Sequence, residues 1–149
     1  MGIFDFRDPN KRKKKKSTIK IHCDPQSVLV NNTEVQFPTT YKHLKDILGD
    51  PDRIEAIRNS KNKVYLWDEL GIYCSAPDPE KMLMLLLVED NRYGLGQQPK
   101  KNFMGKVFID EKPIEDNLQN VGEDRPYMIR AIIKDDKRVA IALGWNPGV

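Results

Sequence analysis

His22, Cys23, His43 and Cys74 are the only histidines and cysteines of this 149-residue chain, and a Cys–His nucleophile or a zinc site would have to be built from them. His22 and Cys23 are adjacent, so in a strand their side chains point to opposite faces. Neither stands at a metal-ligand spacing from His43 or Cys74. The expectation is therefore buried cysteines and surface histidines, with no metal, no cofactor and no catalytic residue.

Gly94-Leu95-Gly96 lacks the third glycine of a phosphate-binding loop, and also the strand before it and the helix after it, so it reads as a flexible loop. The carboxylate pairs Asp50 and Asp52, Glu89 and Asp90, and Asp135 and Asp136 all fall in turn sequences, where Asp bonds its own backbone. Glycoside chemistry needs two carboxyls facing each other about 5 to 10 Å apart, which neighbouring acids in turns do not provide. Arg53, Trp67 and Asp68 make a different group. A guanidinium and a carboxylate can form a bidentate pair, and an indole offers a wide apolar face with one N–H donor. The trio reads first as a lock between a helix and a sheet. Its second reading is an exposed binding corner shared with Asp50, Asp52 and Glu69, because Trp and Arg dominate interface hot spots.

Those residues must be held by strands and one clear helix. Thr39 or Thr40 can cap a helix whose apolar positions Tyr41, Leu44, Ile47 and Leu48 recur at intervals of three and four. Gly49 ends it and Pro51 prevents its resumption. Thr18 to Cys23 alternates as a strand does, and Val28-Leu29-Val30 turns through Asn31-Asn32 into Thr33 to Phe37. Lys63 to Trp67 and Ile72 to Cys74 read as strands joined through Asp68 to Gly71. Residues 79–88 carry both a helix start, Asp78-Pro79, and the seven-residue apolar run Met82 to Val88; the uniformity of that run favours a buried strand. After a loop over 91–102 come a strand over Phe103 to Ile109 and a hairpin of Tyr127 to Lys134 with Arg138 to Trp145. Residues 114–126 leave room for a short helix, limited by Gly122 and Pro126. The sum is an α+β domain over 17–149, a mostly antiparallel sheet of about seven or eight strands packed by one main helix.

The net charge of +3 is misleading. Arg7, Lys11, Arg12, Lys13, Lys14, Lys15 and Lys16 hold seven of the 25 basic residues but only two of the 22 acids fall in the same stretch, so 18 bases face 20 acids beyond residue 16. The fold is slightly acidic, which argues against a basic nucleic-acid surface on it. Residues 1–16 read as a disordered basic leader. The alternative function runs through it, as a nucleic-acid or anionic-membrane adaptor using Lys11 to Lys16. The leader has the wrong order for an export signal, and Phe6 stands where myristoylation needs Ser or Thr. Two cysteines with no secretory context suggest reduced thiols in a cytosol.

The blocks Leu48-Gly49-Asp50-Pro51-Asp52-Arg53, Trp67-Asp68-Glu69-Leu70-Gly71-Ile72, and Pro99 with Phe103-Met104-Gly105-Lys106-Val107-Phe108-Ile109-Asp110 resemble an uncharacterised bacterial domain family. The resemblance spans about residues 28 to 118. Members of this kind are often candidate immunity proteins, and the helix ending in Leu-Gly-x-Pro before an antiparallel sheet is similar to beta-lactamase-inhibitor-like folds. The resemblance implies a non-enzymatic, cytoplasmic protein that binds a cognate toxin, with no small-molecule substrate, as a monomer or homodimer.

Overall fold

The structure is a computed structural model that describes residues 18–92 and 97–147. The leader over 1–16 and the Gly94-Leu95-Gly96 loop lie outside the described residues. The strands are β1 (Lys20–Cys23), β2 (Val28–Val30), β3 (Thr33–Val35), β4 (Arg53–Ala56), β5 (Lys63–Trp67), β6 (Ile72–Ala76), β7 (Met84–Val88), β8 (Lys106–Ile109), β9 (Lys112–Pro113), β10 (Tyr127–Lys134) and β11 (Lys137–Trp145), with helix α1 (Tyr41–Leu48) between β3 and β4.

These strands form two sheets, one of five in the order β3-β2-β1-β8-β9 and one of six in the order β10-β11-β7-β6-β5-β4. The expected α+β architecture, one sheet packed by a main helix, is overturned: the chain is 44% strand and 6% helix. The physical reason is size. An eight-residue helix buries only Leu44 completely and cannot cover a sheet. The second apolar layer comes instead from β1, β2, β3 and β8, whose Ile21, Cys23, Val28, Val30, Val35 and Val107 share one core with Trp67, Ile72, Leu85, Leu87, Ile141 and Leu143 of the six-stranded sheet.

Local chemistry places the turns. Asn31 and Asn32, Asp110 and Glu111, and Asp135 and Asp136 all take positive φ, as two-residue hairpin turns between right-twisted strands require. Thr40 caps α1 by accepting the His43 N–H at 3.1 Å, and Gly49 at φ 87° ends it. The apolar run resolves as strand β7, paired with β6 and β11. Residues 114–126 hold no helix; Val121 bridges Ile129 instead. One pairing is parallel, β1 with β8, joining residues more than eighty positions apart.

Candidate functional site

The corner between α1 and β4 is assembled from both sides of the Gly49–Asp52 turn. Trp67 is only 1% exposed, and its indole N–H donates to the Gly49 carbonyl at 2.8 Å, tying the helix end to β5. Asp68, also buried, receives the Arg53 fork at 2.9 and 3.2 Å and the Lys100 backbone N–H at 2.9 Å. Arg53 reaches Glu55 with its other terminal nitrogen and the Gln98 carbonyl at 3.0 Å. Burial alone would raise the Asp68 pKa, but the hydrogen bonds from Arg53 and Lys100 outweigh it and hold the carboxyl below its ordinary value. The hydrogen bonds to Asp68 and then Glu55 push the Arg53 guanidinium further up.

This corner therefore divides in two. Trp67, Asp68 and Arg53 are committed to each other and to the backbone around them. Asp50, Asp52 and Glu69 stay exposed: Asp50 pairs with Lys45 at 3.6 Å and Glu69 with Lys101 at 2.9 Å. Exposed pairs of this kind hold little energy and are open to a competing partner.

A second buried acid mirrors the first. Asp90 accepts from Arg92 and Lys137, and those bonds, Arg92 first, pull its pKa down against burial. Beside it Arg138 forks onto Glu89 at 2.7 and 3.1 Å and donates to the Glu115 carbonyl at 2.6 Å. These groups line an open groove of about 620 Å³ together with Asn102, Asp116 and Asp136. Asp68 and Asp90 thus anchor the two ends of the 91–102 loop, and Asn91 braces it by donating to the Lys100 carbonyl at 2.8 Å. Asp68 and Asp90 are both held below the ordinary carboxylate value, the reverse of what a general acid needs.

The thiols are inert. Cys23 and Cys74 are buried and free, and burial pushes both up to about 12. His22 stacks on Phe108 at 4.8 Å across β1 and β8, while His43 bonds the Glu34 carbonyl at 2.8 Å. Among the described residues no three His, Cys, Asp or Glu side chains converge as metal ligands would.

One feature escaped the sequence reading. Leu83, Met84 and Trp145 are 38%, 37% and 42% exposed at one end of the six-stranded sheet, Leu83 and Trp145 on one face and Met84 on the other. Trp145 donates its backbone N–H to the Leu83 carbonyl at 2.8 Å, and Met84 lies opposite Gly144, which in turn lies opposite Met128. A Cβ on Gly144 would meet the Leu83 carbonyl oxygen at 2.3 Å, so the row needs glycine there. Exposed Asp78 and Glu80 lead into this segment, and exposed Glu123 and Asp124 line the cavity that Met128 borders. Exposed Lys81 and Arg130 stand in the same segments. The signal in the sequence was the run Met82 to Val88, in which Leu83 and Met84 are exposed between the buried Met82 and Leu85.

The fold and these clusters describe a two-sheet β domain whose buried acids are paired with basic side chains and which exposes Leu83, Met84 and Trp145 at one sheet end. The chain belongs to a family described as a domain of unknown function, DUF7738, which matches residues 20–123. No curated protein matches it significantly. Among solved structures it is similar to a cysteine-rich secretory protein from Staphylococcus aureus subsp. aureus Mu50, at 13% identity and a TM-score of 0.39, over 74% of this chain. The chain spans 44% of that protein's length, and a likeness so slight carries nothing about function. Among the described residues no helix is long and apolar enough to cross a membrane.

Proposed function

We propose that this chain is a non-enzymatic protein-binding module of the bacterial cytoplasm, an immunity protein that neutralises a toxin by covering it. The observation that carries this reading is the exposed Leu83–Met84–Trp145 end of the sheet. An exposed Trp beside an exposed Leu has the composition of an interface centre, with Met84 exposed on the opposite face of the same sheet end. The acids around it, Asp78, Glu80, Glu123 and Asp124, suit a basic partner, as the active site of a nucleic-acid-cleaving toxin would be.

The test is co-expression with the product of the neighbouring gene, which this reading expects to be a secreted protein with a toxic C-terminal domain. Growth should be rescued and a stoichiometric complex should survive high salt and removal of residues 1–16. Binding only to RNA or anionic vesicles, lost with the leader, would overturn the reading in favour of an adaptor working through Lys11 to Lys16.

A further inference from the structure

The six-stranded sheet has two margins, and the chain treats them differently. Along β10 the margin is covered: Val121 bridges Ile129 with backbone bonds in both directions, and the Asn120 side chain accepts the Ala131 N–H at 3.1 Å. Along β4 it is open. In the antiparallel pair of β4 and β5, Arg53 lies opposite Leu66 and Ala56 opposite Lys63, and the next pair outward bonds through the Ile57 N–H to the Asn62 carbonyl. Hydrogen-bonded and non-bonded pairs alternate in such a ladder, so Arg53 and Glu55 bond inward while Ile54 and Ala56 aim their N–H and C=O groups away from the sheet. Among the described residues nothing reaches those groups, and the Ile54 side chain is 47% exposed.

We propose that β4 is a self-association edge, at which two copies of this chain pair antiparallel about a two-fold axis at Ile54 and join their six-stranded sheets into one. The sequence of the edge is self-complementary in that orientation alone. With Ile54 opposite Ile54 of the second copy, Arg53 faces Glu55 and Glu55 faces Arg53, on the face where both already meet within one chain. Exposed Asp50 and Asp52, which lead into the strand, come beside exposed Arg58, which follows it. Parallel pairing would set Arg53 against Arg53 and Glu55 against Glu55. Edges are commonly protected by shortness, by charged side chains or Pro along them, or by a covering loop, and of these β4 has only its shortness and the preceding Pro51. Here the charges lie on the sheet face and are already paired, while an isoleucine marks the edge. The backbone supplies the bonds, as in other strand-addition interfaces. This edge lies across the sheet from Leu83 and Trp145, so the dimer leaves that end open and stands or falls separately from toxin binding.

Sedimentation of the full chain across the micromolar range tests it. A four-residue edge is a small interface, so the dimer is weak and reversible, and mass should climb from 17.2 kDa towards twice that value as concentration rises. Ile54→Lys sets two ammonium groups together at the axis and should hold the chain monomeric with its melting temperature unchanged. Ile54→Pro removes an N–H that only the second copy uses and should do the same. In the unmodified chain, amide exchange at Ile54 should slow as concentration rises. A chain that stays at monomer mass throughout, a dimer that both variants preserve, or an Ile54 amide indifferent to concentration would each overturn the proposal.

Discussion

Replacing Asp68 by Asn tests whether the helix–sheet corner is held by charge or only by shape. The carboxylate accepts three hydrogen bonds, two from Arg53 and one from the Lys100 backbone. Asn keeps one acceptor oxygen and turns an amide donor towards a guanidinium that also donates. Severing a buried ion pair by removing one partner costs about 3–5 kcal/mol. Arg53 is 28% exposed and keeps Glu55 and the Gln98 carbonyl, so the low end applies, about 3 kcal/mol. For a domain of this size that is a fall in melting temperature of about 10 °C at neutral pH. The pH dependence carries a second signature. The folded Asp68 carboxyl lies below its ordinary value of 3.8, so its contribution is fully present above that value and fades as pH drops through the folded value. Thermal denaturation followed by circular dichroism from pH 7 to pH 3 should show the gap between Asp68→Asn and the unmodified chain narrowing at the acid end. A gap below about 2 °C at neutral pH, or one that does not change with pH, would refute the argument that the ion pair anchors this corner.

Gly71 sits at φ 72°, and a Cβ there would fall 2.2 Å from the Phe103 backbone nitrogen, so Gly71→Ala should cost more than about 3 kcal/mol and be visible as poor folding on denaturant titration. Cys23 and Cys74, buried with thiols pushed up to about 12, should resist a thiol reagent at neutral pH in the folded chain, and both should react once urea unfolds it.

Much of the local structure could be read from the residues themselves. Asn31-Asn32 and Asp135-Asp136 tolerate positive φ, and the turns fall where those pairs stand. Thr40, the apolar repeat from Tyr41 to Leu48 and Gly49 bound the helix as its chemistry dictates. What escaped was non-local. The β1–β8 pairing joins Lys20 to Lys106 and is specified by burial, not by any adjacent sequence, so the second sheet was invisible and a helix was asked to cover the core in its place. Strand β4 escaped because Arg53-Ile54-Glu55-Ala56 has little strand propensity and is set by its partner β5. The roles of Trp67 and Asp68 as a lock were legible from chemistry, whereas the exposure of Leu83, Met84 and Trp145 depends on where the core ends and required three dimensions.

Titration calorimetry of the chain against the toxin domain that the proposed function expects from the neighbouring gene tests the central claim, that this protein acts by contact through the Leu83–Trp145 sheet end. A tight one-to-one complex should weaken about 100-fold, or about 3 kcal/mol, on Trp145→Ala, with the fold's melting temperature preserved and with no loss when residues 1–16 are removed. An unchanged affinity for Trp145→Ala, or binding that disappears with the leader, would contradict it.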